Sequence, residues 1–288
     1  MLVAIGNGTA IAQTLKVPAP SPLMTLKQAF ALSDISIEYS RPSAKGRSVY
    51  GGLVPFGKVW RTGANGSTKI TFGEDVTING TALKAGTYAI YSIPNKDKWN
   101  IMFYSDLKLG GNVAEYNTSN EVLKIEVNTK ALRDTVNTFT ININDITASK
   151  CDIELAWELT SVKFTVTANI DATIMSNIDK SINSDSRPYF QAASYYFENN
   201  KDMNTALTWV NKAVEQNPKA FWVMLLKAKI ENKLKDTTAA IASANKVIAM
   251  AKEAKNDDYV VMAEALISSI RTPVVAVPTE AVKPKKKK

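Results

Sequence analysis

From Leu26 to about Ala168, apolar and polar residues alternate with a period of two, and β-branched and aromatic side chains fill the apolar places between turn signals. The clearest predicted strands are Ile35 to Tyr39, Lys69 to Phe72, Thr87 to Ile93, Trp99 to Tyr104, Val122 to Val127, Phe139 to Ile143, Ile153 to Trp157 and Val162 to Val166. Asn79-Gly80, Ala85-Gly86 and Pro94-Asn95 mark turns between successive runs. Many short strands with no helical pattern between them predict an antiparallel β-sandwich or barrel, of which we expect the sandwich. In TYAIYSIP, Tyr88, Ile90 and Ser92 face one way and Ala89, Tyr91 and Ile93 the other. Both faces are largely covered, so this strand belongs in the middle of the fold.

One segment breaks the rhythm. Tyr39 to Asn65 is longer than most connections in compact domains, and such loops are functional or disordered. Val49, Tyr50, Leu53, Val54, Phe56, Val59 and Trp60 supply apolar anchors, while five glycines permit tight turns. A packed loop across one mouth of the sandwich is expected. It carries Arg41, Lys45, Arg47, Lys58 and Arg61 and no carboxylate, and so holds three of the six arginines of a lysine-rich chain. Arginine spent in this way suits two-pronged recognition of a carboxylate or phosphate. The candidate ligand-binding residues are Arg41, Lys45, Arg47, Trp60, Arg61 and Asn65, with Trp60 offering a flat face to a sugar. The competing expectation is that the arginines pair with structural carboxylates such as Glu38 or Glu74.

After Asp171 the period becomes 3.6 and persists to Ile270. Small residues recur at a spacing of 34, Ser194, Ala206 and Ala213 reappearing as Ala228, Ala240 and Val247, as tetratricopeptide repeats require where two helices cross closely. Two hairpins follow from this, FQAASYYFEN with LTWVNKAVEQNP and VMLLKAKIEN with AIASANKVIAMAKEA, and Asp258 to Ile270 is a capping helix. Such hairpins can hold a protein partner on a concave face.

Composition removes several chemistries. The chain has no histidine and a single cysteine, Cys151, which excludes Ser-His-Asp and Cys-His catalysis, histidine-bearing zinc sites and any intramolecular disulfide. Cys151 opens the alternating run CDIELAWE and reads as a buried hydrophobe. No metal site, cofactor or catalytic residue is expected, since calcium loops and glycine-rich nucleotide motifs are missing as well. Two S-x-x-K spacings, at Ser105 and Ser243, are as many as chance yields. Of the net charge of +8, Lys283 and Lys285 to Lys288 supply five, so the basic balance belongs to a tail and implies no nucleic-acid partner. MLVAIGNGTAIAQ ends in an A-x-A cleavage pattern before Gln13, which predicts a leader lacking its basic start and a periplasmic or extracellular location. No later stretch is long and apolar enough for a transmembrane segment.

The stretches SPLMTLKQ, DISIEYSRPSAKGRSVYGGLVPFGKVWRTGAN, TKITFGEDVTINGTALKAGTYAIYSIP and the closing ELAWE resemble an exported bacterial family, domain of unknown function 2911, often followed by tetratricopeptide-like helices. The resemblance implies a β-sandwich and export but no activity. It departs at Gly66, where the family is expected to carry glutamate. The resulting expectation is a chain that is all-β and then all-α: a leader over 1–12, an antiparallel β-sandwich over 20–168, tetratricopeptide-like helical hairpins over 172–271 and a disordered Pro/Lys tail over 272–288. Its expected role is non-catalytic binding of an anionic or carbohydrate-like ligand. A structural envelope protein without a small ligand is the alternative, and a carboxylate-dependent glycan-acting enzyme the third.

Overall fold

The computed structural model describes residues 17–182 and 188–272. The expected leader and residues 273–288 of the expected tail lie outside them. The chain divides into two compact units, one ending at Asp171 and one starting at Ala172.

The first unit is a nine-stranded sheet with antiparallel pairings throughout, in the order β1-β2-β3-β6-β7-β8-β9-β4-β5. The strands are β1 (Leu23–Phe30), β2 (Ser33–Ser40), β3 (Ala64–Phe72), β4 (Val76–Ile78), β5 (Thr81–Leu83), β6 (Gly86–Ile93), β7 (Lys98–Tyr104), β8 (Glu121–Asn144) and β9 (Lys150–Ala168). Period-two alternation decides which side chains turn inward: Ile35, Ile37 and Tyr39 of β2 are buried, with Glu38 between them exposed. The strand TYAIYSIP does lie in the interior, as β6 between β3 and β7. Its second face, with Ala89 and Tyr91, joins Met102 and Tyr104 of β7 beneath Val59, Leu109, Val113 and Tyr116.

The eight clearest predicted strands fall on six of the nine observed ones, two of which are much longer than expected. Val122 to Val127 and Phe139 to Ile143 are two parts of β8, and Ile153 to Trp157 and Val162 to Val166 are two parts of β9. The first part of β8 pairs with β7 as far as Asn128, and from Thr129 onward the same strand pairs with β9. Register shifts between Ala131 and Thr140 mark bulges that bend it, which lets one strand serve two ladders. The polar run between the two apolar parts looks like a turn by pattern, but it contains no glycine or proline to end the strand. β4 and β5 were too short to show periodicity. They flank Asn79-Gly80, whose φ values of 46° and 87° suit the two-residue hairpin turn that the pair predicts.

Among the described residues the second unit comprises six helices: α1 (Asp171–Ile182), α2 (Tyr189–Glu198), α3 (Met203–Gln216), α4 (Phe221–Lys233), α5 (Thr237–Glu253) and α6 (Asp257–Arg271). From α2 to α6 each helix packs on the next. Ala206, Ala213, Ala228, Ala240 and Val247 are all buried, whereas Ser194 is half-buried beside the fully buried Ala193. Side chains of Asp202, Asp236 and Asn256 cap α3, α5 and α6. Among the described residues no helix is long and apolar enough to cross a membrane.

Candidate functional site

The connection from β2 to β3 is tied down at three places. Its start lies along the bulged part of β8, where the Ala44 amide donates to the Asn137 carbonyl and the Phe139 amide to the Pro42 carbonyl. Its middle is held when the Val49 amide donates to Glu158 Oε1 at 3.0 Å. Its end pairs with β6 as Trp60 and Ser92 exchange backbone hydrogen bonds of 2.7 and 2.9 Å. Val49, Val54 and Trp60 are the buried anchors. Leu53 and Phe56, expected inside, stay at the surface with 45% and 36% exposure.

The arginines form no ion pair with a carboxylate among the described residues. Glu38 faces Lys69 at 4.0 Å, and Glu74 accepts from the Leu32 amide. The expected structural pairing is thus replaced by bonds to neutral acceptors. Arg41 donates through Nε to the Phe139 carbonyl at 3.1 Å and through Nη2 to Thr140 Oγ1 at 2.7 Å, clamping the loop to β8. Arg47 donates through Nε to the Ala44 carbonyl and through Nη2 to the Ser43 carbonyl. Arg61 donates through Nη1 to the Asn65 carbonyl at 2.9 Å.

The turn Arg61 to Asn65 is built against backbone preference. Thr62 and Asn65 have φ of 53° and 60°, and a positive φ is a genuine outlier for a β-branched residue. Neighbours over-determine it: Thr62 Oγ1 shares a hydrogen bond with Ser92 Oγ, and Thr68 Oγ1 donates to the Thr62 carbonyl. Asn65 Nδ2 donates to the Ser21 carbonyl and Ser40 Oγ. A Cβ on Gly111 would collide with both the Arg61 guanidinium and the Asn65 carbonyl, so a glycine from the segment after β7 closes the far side. Strain of this kind gathers at functional sites.

Four of the six predicted residues come together. Arg47, Trp60, Arg61 and Asn65 border one cleft of about 280 Å³, with Ser21, Pro42 and Trp157. Arg41 and Lys45 do not line it: Arg41 is committed to β8, and Lys45, at φ 50°, stands exposed in a turn with Gly46. Trp60 borders the cleft but cannot offer it an open face. Its ring stacks on Trp157 with centroids 6.0 Å apart and meets Phe139, Trp99 and Tyr50 at 5.2, 6.1 and 6.3 Å, and its Nε1 donates to the Gly63 carbonyl.

A second cleft, of about 430 Å³, was not found by sequence reasoning. Tyr50, Phe56, Trp99 and Glu158 border it together with Asn95, Lys96, Thr135 and Thr160. The two clefts share an aromatic cluster: Trp60 and Trp157 line the first, Tyr50 and Trp99 the second. Burial pushes the Tyr50 phenol well above its ordinary range, and the Glu158 carboxylate adds to the rise. Burial likewise pushes the Cys151 thiol up to about 11, with the Asp152 charge contributing, which leaves it a poor nucleophile.

The family described as "Protein of unknown function (DUF2911)" matches residues 21–166. The chain belongs to this family. Every residue that lines either cleft lies inside the DUF2911 match. The six helices follow it in sequence. No curated protein and no solved structure matches the chain significantly.

Proposed function

We propose that this DUF2911 protein is an exported, non-catalytic binding protein whose β-unit holds a small anionic ligand in the cleft of Arg47, Arg61 and Asn65. The observation that carries the reading is a pair of guanidinium groups with no carboxylate partner, set on a cleft whose lining contains no acid. Nη1 of Arg47, and Nε and Nη2 of Arg61, have no acceptor among the described residues, and these planar donors suit a carboxylate or phosphate. Asn65 Oδ1 and the Ser21 hydroxyl stand beside them for the hydroxyls of an acidic sugar.

The coarse architecture fits such a module. We read the long sheet, turned at the bulges of β8, as a sandwich, and α2 to α5 as tetratricopeptide-like hairpins whose buried small residues allow close crossing. The exposed Trp222, Val261 and Met262 favour a protein partner for the helices. A structural reading has one specific support: Arg41 spends its donors on β8 and so acts for the fold rather than for a ligand.

The test is a thermal-shift screen of residues 13–288 against inorganic phosphate, glucuronate and peptidoglycan fragments, with Arg61→Ala beside the wild type. Stabilisation of the wild type by an anion, lost in a variant that melts normally without ligand, supports the reading. A variant that is strongly destabilised and a wild type deaf to every anion overturn it in favour of the structural one.

A further inference from the structure

The second cleft has its own marks of a binding site. The Tyr50 hydroxyl is buried and has no hydrogen-bond partner among the described residues, a condition that folded proteins rarely leave unexplained. Glu158 lies within β9, yet its φ is 52°, in the left-handed region that a non-glycine residue occupies at a cost. Only its Oε1 is engaged, by the Val49 amide, and Oε2 has no partner among the described residues. The mouth of the cleft is shaped as deliberately as its floor. Gly51, at φ 84°, packs so closely on Phe56 that a Cβ would stand 2.7 Å from the ring edge, so the ring can lie there only over a glycine.

The lining decides the ligand class. Phe56 and Tyr50 make an aromatic wall backed by the buried Trp99, and Glu158, Asn95, Lys96, Thr135 and Thr160 bring acceptors and donors to the same space. The Glu158 carboxylate repels an anion. A wholly apolar guest would leave buried polar groups unpaired. A ring with one C–H face and several hydroxyls satisfies both halves, and about 430 Å³ lies within the size range of small-molecule sites, roughly 300–1,000 Å³. We propose that the Tyr50–Glu158 cleft is a second binding site of the β-unit, separate from the arginine cleft, and that it takes a neutral saccharide.

The test uses residues 13–288 and calorimetric titration with glucose, galactose, mannose, N-acetylglucosamine and their β1,4-linked disaccharides, repeated on Tyr50→Phe and Glu158→Gln. Tyr50→Phe removes a hydroxyl that holds nothing within the protein, and Glu158→Gln keeps an oxygen for the Val49 amide, so both should melt like the wild type. Each should nevertheless weaken binding of the best saccharide about tenfold, the effect of one lost hydrogen bond. Saturating inorganic phosphate should leave the saccharide affinity unchanged, which keeps this result independent of whether the arginine cleft binds anions. Absence of binding by any of these saccharides, full binding by both variants, or displacement of the saccharide by phosphate would each overturn the proposal.

Discussion

In the helical unit, Asp202, Asp236 and Asn256 each accept a hydrogen bond from an amide two or three residues further along. In the β-unit, Tyr39, Arg41 and Val49 find their partners in Ile141, Phe139 and Glu158, which lie 98 to 109 positions away. The difference is one of what topology must supply. A helix cap is complete once its own turn forms, so its stability is a local property. The β2–β3 connection is a loop by sequence and a bridge by structure, and it acquires its shape only when β8 and β9 are already beside it. Removing a polar group should therefore have a bounded, local effect in the helices and one that reaches across the sheet in the β-unit.

The strongest test of that contrast uses two tryptophans. Trp60→Ala should destabilise the β-unit by about 3–5 kcal/mol, since it empties the centre of an aromatic cluster. Trp222→Ala, at a position 42% exposed on α4, should stay within about 0.5 kcal/mol of the wild type. Urea denaturation followed by tryptophan fluorescence reads both, and similar losses would erase the distinction. Next come the arginines. Arg41→Ala breaks charge-assisted bonds to β8 and should cost about 1.5–3 kcal/mol, whereas Arg47→Ala frees only carbonyls of its own loop, of which that of the buried Ala44 keeps the Arg47 amide as a donor, and should cost within about 0.5 kcal/mol. Equal effects in chemical denaturation would mean that Arg47 too is structural. Asn256→Ala should cost about 1 kcal/mol, as the loss of an isolated cap does, and helical circular dichroism should report it.

The smallest expected effect is a dependence on acid. Burial works to raise the Asp152 carboxyl, but hydrogen bonds from Lys163 and Thr165 outweigh it and hold the group below its ordinary range. Its folded value is depressed, so its contribution is present above the unfolded carboxylate range, near pH 4, and is lost as pH falls through the folded value. The melting temperature of the wild type should drop more steeply than that of Asp152→Asn below about pH 4. Parallel curves would show that this ion pair adds nothing.

These contrasts also explain what could be read from the residues alone. β6 as a strand buried on both faces, the Asn79-Gly80 turn and the helical stretch after Asp171 depend on near neighbours, and periodicity reveals them. The joining of four predicted strands into β8 and β9 does not, because a bulge in a mostly polar run without glycine or proline has no composition of its own. For the candidate site, charge and glycine content singled out a segment of which four named residues border one cleft. They misjudged Trp60, whose amphipathic ring says nothing about the Trp157 that covers it. They missed Glu158 altogether, although it ends the ELAWE stretch that carries the family resemblance, because only the fold brings it to Val49 and Tyr50.

The pairing of β4 with β9 has a consequence for how the chain reaches its structure. Val76 meets Ala168 in register, so a strand of three residues must wait for a partner at the other end of the unit. β8 and β9, by contrast, are neighbours in sequence and can zip from the turn between Asn144 and Lys150. Closing the long loop costs entropy before its few contacts repay it, which places β4 at the end of the folding sequence. Substitutions at Val76 or Ile78 should accordingly speed unfolding in stopped-flow experiments while leaving the refolding rate unchanged.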